Sequence, residues 1–247
     1  MTNDLVTQEL TAEQLAAMAE AATPSDFKSD DLALPWITVL QSMSPETKSS
    51  QPDYVTGAKE GDIFNSVTHE LHDTLEIIPV HFTRRYTEWK PGRGGLARDH
   101  GADSTAYDNA NGDFGTRTTG TGNSISMVMS YVVLAKFNAG WSPAMLTMGS
   151  TQMRKARRWN SLMQTLTMQG PNGTFTAPMF ARSYTFSTVD EHNDKGTWKG
   201  WGIEPSQLTL KLPDGASLFA QAKELRRQLD EGRSTATVQQ RSDDIPF

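Results

Sequence analysis

Between Ile125 and Phe137 apolar side chains occupy both faces of one extended segment. Ile125, Met127, Met129, Tyr131 and Val133 share one side, and Val128, Val132 and Leu134 share the other. Side chains alternate along a strand, so a segment of this kind must be covered above and below. It therefore predicts a central strand, and the rest of the chain has to supply its neighbours and its two covering layers. Asn138-Ala139-Gly140 reads as a turn, with Ser142 to Met148 returning as the second strand of a hairpin.

The remaining elements can be placed around that hairpin. Leu75 to Lys90 is a long strand with apolar residues on both faces, and Pro79 within it suits a bulge or an edge. A helix is expected from Ser150 to about Gln169, with Met153, Ala156, Trp159, Leu162, Met163 and Leu166 mostly on one face. Met179 to Val189 and Thr197 to Ile203 read as a second hairpin. A last amphipathic helix, starting at Asp214 or Ser217, runs to about Glu231 and stops at Gly232. Upstream, Leu32 to Leu40 and Tyr54 to Val67 read as extended pieces added to the main domain. The order predicts a mainly β chain with some α: an OB-fold-like five-stranded barrel with an N-terminal strand extension. One helix lies between strands 3 and 4, and another closes the chain.

Three segments fall outside that domain of residues 32–231 or interrupt it. Residues 1–31 form an acidic, Ala-rich arm, with a short helix expected from Thr11 to Ala22. Residues 92–123 form a long Gly-rich loop between the first two barrel strands, of a length that is usually functional or disordered. Residues 232–247 form a polar linker and an acidic tip.

The net charge of the 247-residue chain is −6, which taken as a sum disfavours nucleic acid. The distribution reverses that inference. Residues 1–31 hold seven acids and one base, and residues 114–189 hold no Asp or Glu against seven Lys or Arg. A local positive field decides phosphate binding, not the global total. Cysteine is absent, which removes disulfides, thiolate metal ligands and thiol nucleophiles together. The sequence shows no apolar run long enough to span a membrane and no secretory signal, so a cytoplasmic protein is expected. No cofactor or metal is expected either. His69 and His72 lack a third ligand, and no nucleophile elbow, zinc motif or paired-carboxylate signature marks an enzyme.

A single strand of nucleic acid needs cations along its backbone and aromatic faces for its bases. Three clusters offer both. Arg84, Arg85, Tyr86, Trp89, Lys90 and Arg93 lead from the first barrel strand into the Gly-rich loop. Arg154, Lys155, Arg157, Arg158 and Trp159 lie on the first helix. Tyr184, Phe186, Trp198, Lys199 and Trp201 lie on the last hairpin. Trp159 falls on the apolar side of its helix and half of the strand aromatics belong to a core in any barrel. The candidate contacts are therefore Arg154, Lys155 and Arg158 from the helix, with the full first and third clusters.

The chain ends Asp243-Asp244-Ile245-Pro246-Phe247. An apolar knob beside fixed negative charge suits a small greasy pocket ringed by Arg or Lys, and Pro246 limits the conformations lost on docking. This ending resembles the acidic tip of bacterial single-stranded DNA-binding proteins. The resemblance implies that these five residues recruit replication, recombination and repair proteins. A second, looser resemblance is to tailed-phage proteins that include OB-fold single-stranded DNA-binding proteins. It is carried by Leu34-Pro35, Leu40-Gln41-Ser42-Met43-Ser44-Pro45, Ile78-Pro79-Val80 and Arg84-Arg85-Tyr86. The short barrel of the bacterial family is replaced here by a longer domain, so its tetramer is not carried over and the oligomeric state stays open. The expected function is to coat single-stranded DNA and recruit partner enzymes. The alternatives are a strand-annealing or recombination-mediator protein, and a non-DNA protein whose tip occupies pockets meant for the host's own tail.

Overall fold

A computed structural model describes residues 34–231, apart from residues 94, 113–115 and 195. The acidic arm with its Thr11–Ala22 helix, the C-terminal tip and the Arg93 side chain lie outside the described residues.

The strands are β1 (Trp36–Val39), β2 (Ile63–Asn65), β3 (Leu71–His72), β4 (Thr74–Trp89), β5 (Leu96–Asp99), β6 (Thr116–Thr118), β7 (Ser124–Phe137), β8 (Gly140–Gly149), β9 (Thr167–Gly170), β10 (Gly173–Thr176), β11 (Arg182–Asn193) and β12 (Gly196–Leu208). The helices are α1 (Thr105–Asp108), α2 (Met153–Gln164) and α3 (Gly215–Asp230). Ten strands form one curled, open sheet in the order β12-β11-β4-β7-β8-β1-β2-β3, with β5 added to β4 and β6 to β7. The expected count of five strands is too low. β4 and β7 run past the curled part of the sheet, and their far ends take up β5 and β6 from the Gly-rich stretch.

β7 is central, as its two-faced apolar pattern requires. It pairs antiparallel with β4 from Ile77↔Ala135 to Trp89↔Ser124, and with β8 from Val128↔Gly149 to Phe137↔Gly140. Gly140 has φ 115, a conformation only glycine adopts without strain, and this lets the hairpin close in two residues. The β4 register shifts between Pro79 and His81, so the proline falls at a bulge where its missing N–H costs no ladder bond.

Parity then divides the core. Ile77, Tyr131, Val133, Tyr184 and Phe186 face inward under α2, with Trp159 fully buried among them. The Trp159 ring stands 4.5 Å from Tyr131 and 5.0 Å from Phe186, the latter edge-on at 76°. One residue along, Ile78, Val80 and Leu134 face the other way, against Leu218 and Ala222 of α3 and against Phe180. Both faces of the β4–β7 pair are thus covered, each by one helix.

The curl brings β12 near the N-terminal strand β1 without a backbone ladder between them. Side chains span the seam instead. The Gln41 carboxamide accepts the Lys199 N–H and donates to the Lys199 carbonyl, both at 2.9 Å. Thr188 donates to the Gly61 carbonyl at 2.8 Å.

Two expected boundaries move. α2 ends at Gln164 rather than near Gln169, because the Thr165 hydroxyl bonds back to the Ser161 carbonyl and the following residues form the β9–β10 ribbon. The Gly-rich stretch is not a bare loop, since β5, α1 and β6 lie within it.

Candidate nucleic-acid interface

Helix α2 buries Met153, Ala156, Trp159 and Met163, a spacing of three and four residues that keeps one stripe toward the core. The opposite stripe exposes Arg154, Arg157 and Arg158. One flank of the helix lies along the edge of β12. There Gln152 accepts the Trp201 N–H at 3.0 Å, and Arg158 stands 4.0 Å from Glu204. Lys155 pairs with Glu191 at 2.8 Å across the same edge.

Glu191 holds this junction. Burial alone would push its carboxyl up, but donors from Lys155, Gln152 (2.9 Å) and the Trp198 indole (2.8 Å) outweigh it and keep the group below the usual carboxylate range. The carboxylate sits over Gly200, where any Cβ would overlap it. The other flank of α2 faces β7. Asn160 accepts the Tyr131 hydroxyl at 2.9 Å and directs its amide to the Met129 sulfur at 3.8 Å. Burial pushes the Tyr131 phenol well above its ordinary value, so it remains a donor. Arg84 is registered opposite Met129 on β4 and is exposed, so it emerges on the α2 side of the sheet.

The structure therefore joins the second and third predicted clusters and separates their members by role. Tyr184, Phe186 and Trp201 are buried in the core, and their rings present no open face. Trp198 is half-buried with its indole N–H committed to Glu191. Lys199 pairs with Asp190, whose hydrogen bond raises the ammonium above its ordinary value.

The first cluster divides in the same way. Tyr86 is 8% exposed and packs 5.1 Å from Tyr107 of α1, while Trp89 is 3% exposed with its indole directed to Thr87. Arg85 is bound to Asp99 of β5 at 2.6 Å. Arg84 and Lys90 are exposed. The Gly-rich stretch is fastened back to β4 through Glu88, which accepts from Asn123 (2.8 Å), His100 (2.9 Å) and Thr119 (3.3 Å). Those bonds, Asn123 first, hold the Glu88 carboxyl below its usual range.

Folding brings near the first cluster two cations that the sequence reading left out of its three clusters. Arg98 on β5 is exposed, and Arg117 on β6 stacks over Tyr107 at 4.4 Å and donates to its carbonyl at 3.0 Å. Strands of three and four residues set among glycines carry too short a pattern to detect.

Among the described residues no group of His, Cys, Asp or Glu is arranged to hold a metal ion. No described helix is long and apolar enough to cross a membrane. The sequence matches the family model described as Pam3 phage gp34-like protein over residues 6–235. No curated protein and no solved structure matches it. That match runs through the arm, the whole curled sheet and both long helices, and on it the chain belongs to the Pam3 phage gp34-like family.

Proposed function

We propose that this phage-family protein binds single-stranded DNA through the α2 side of its sheet and recruits partner proteins through Asp243 to Phe247. The observation that carries the proposal is the outward stripe of α2. Arg154, Arg157 and Arg158 are exposed there, within a stretch of 76 residues that contains no acid. Arg84 on the same side of the sheet, with Lys90 and Arg98 beyond it, extends the cationic surface. Such a surface attracts a phosphate backbone without reading sequence.

The fold reading supports the same proposal. The five longest strands pair in the order β12-β11-β4-β7-β8, with α2 lying between β8 and β11 in the chain. We read that order as the connectivity of an oligonucleotide-binding barrel left open between its third and fifth strands, with β1 beside the gap. The protein would act in the host cytoplasm during replication or recombination, with the tip engaging a basic, apolar-floored pocket on replication or repair proteins.

Anisotropy of a labelled oligo-dT, titrated with the full chain at two salt concentrations, tests the proposal. Tight binding that weakens steeply with salt is expected, and Arg154→Ala with Arg158→Ala should weaken it and lower the slope by about one counterion per lost phosphate contact. Deleting Asp243 to Phe247 should abolish partner capture and leave DNA binding intact or stronger. Absence of binding at low salt would refute the DNA half of the proposal.

A second reading is favoured by one observation, the burial of Tyr86, Trp89, Tyr184, Phe186 and Trp201. A protein that displays its tip only to occupy host pockets needs no exposed rings, and it would give partner binding without oligo-dT binding.

A further inference from the structure

The β9–β10 ribbon stands apart from the main sheet as a two-stranded sheet of its own. Its register pairs Gly173 with Gly170 and Phe175 with Met168, which puts Met168, Gly170, Gly173 and Phe175 on one face. The other face carries Thr167, Gln169, Thr174 and Thr176, none of them charged. Phe175 is 48% exposed, yet its ring is not loose. It lies over Gly170, where an added Cβ would stand 3.0 Å from the ring's Cε1 and 3.2 Å from its Cδ1. The glycine thus makes room for the ring to lie down on the backbone of the facing strand, with the rest of the residue left to solvent.

Resting on the DNA-binding reading above, we infer that Phe175 is a stacking platform for one unpaired nucleobase. The ribbon begins three residues after the last residue of α2 and lies within the acid-free stretch, so a strand following the α2 arginines meets no repelling charge on it. A protein partner fits the feature poorly. Phe175 is the only large apolar side chain exposed on the described ribbon, and stable protein interfaces bury more than about 1,000 Å². One ring is the size of one base. Every base has an apolar face to offer, so the contact would be insensitive to sequence, as the arginine stripe is. The platform also supplies what the three predicted clusters lack, since most of their rings are in the core.

The test uses the full chain and labelled oligo-dT at low salt. Phe175→Ala should lower affinity by roughly five- to a hundredfold, the range for losing one base–aromatic stack, with the thermal midpoint unchanged because the ring is outside the core. Phe175→Trp should bind like the parent and add a fluorescence signal quenched by oligo-dT. Gly170→Ala, which keeps the phenyl but pushes it off the backbone, should weaken binding as well. Unchanged affinity in Phe175→Ala alongside weakened binding in Arg154→Ala would overturn the inference and leave the DNA reading standing. No binding by the parent chain would overturn both.

Discussion

Gly200 gives a prediction whose sign is informative. It lies within β12, where alanine normally stabilises a strand by about 0.5–1 kcal/mol relative to glycine. Here a Cβ would approach the Glu191 Cδ to 2.7 Å, with the nearer carboxylate oxygen closer still, and Gln152 Nε2 to 2.9 Å. The collision is with the groups that fasten α2 to β12. To make room, the carboxylate must leave Lys155, Gln152 and the Trp198 indole, three contacts of 2.8 to 2.9 Å. Hydrogen bonds to a charged group contribute about 1.5–3 kcal/mol each in favourable settings. The Lys155 and Glu191 side chains retain 22% and 24% exposure and their bonds are not independent, so losing the set should cost about 2–4 kcal/mol in total. Gly200→Ala should therefore destabilise by about 1–3.5 kcal/mol net, a drop of roughly 3–12 °C in thermal midpoint for a domain of this size. Urea denaturation followed by circular dichroism measures it. In a Glu191→Ala background the obstacle is smaller, so the same change should cost at least about 1 kcal/mol less. Gly120→Ala is the control, since nothing stands within 4 Å of its Cβ position. If Gly200→Ala matches or exceeds the parent in stability, or costs the same in both backgrounds, the Glu191 junction does not hold the helix.

Two further outcomes follow from the core and the titrating groups. Trp159→Leu should cost about 3–5 kcal/mol by denaturant unfolding, because a fully buried ring contacted by Tyr131, Tyr184 and Phe186 leaves a cavity those rings cannot all fill. A loss under 1 kcal/mol, about the size of a surface change, would mean the helix is not seated as described. Stability should fall with acid in two stages. Burial first, and then the Arg226 charge, lower His81 from 6.5, with Asp230 opposing. The unfolded chain therefore takes the proton first, and stability held above 6.5 declines below it. Glu88 and Glu191 sit below their ordinary 4.5, so their contribution is complete above that value and is lost as pH falls through the lower folded values. Thermal midpoints between pH 8 and 3 check this, with His81→Asn flattening the first stage and Glu191→Gln the second. A midpoint that rises between pH 7 and 5.5 would contradict the burial of His81.

The legible parts of this fold were those with strong local periodicity. β7 announced itself because alternate residues are apolar on both sides, and α2 because Met153, Ala156, Trp159 and Met163 repeat on one face. Pro79 marked its bulge for the simple reason that it has no N–H to place in the ladder. What the sequence concealed was set by distant pairing. β5 and β6 are too short to show a period, and their places depend on how far β4 and β7 overrun the curl. The candidate surface was legible in its exposed cations and misleading in its aromatics. Arg84, Lys90, Arg154 and Arg158 are exposed, because a guanidinium or ammonium group has little reason to enter a core. Tyr86, Trp89, Tyr184, Phe186 and Trp201 satisfy both a stacking pattern and a core pattern, and only the third dimension assigns them to the core. The exposed ring, Phe175, escaped notice because it lies in a four-residue strand just past the Gly-Pro-Asn-Gly stop of the helix, too short to show a period.

The Gln41 bridge has a consequence for how copies of this protein meet one another. A strand at the margin of a sheet displays unpaired N–H and C=O groups, and these template addition of a strand from another chain. At Lys199 both groups are already taken by one carboxamide, and two residues on Gln152 takes the Trp201 N–H. Two glutamines thus blunt the β12 margin against strand-to-strand growth, and Pro205 further along the same strand has no N–H to offer. Under the proposed role on single-stranded DNA, such a margin would let neighbouring copies lie close without knitting their sheets together.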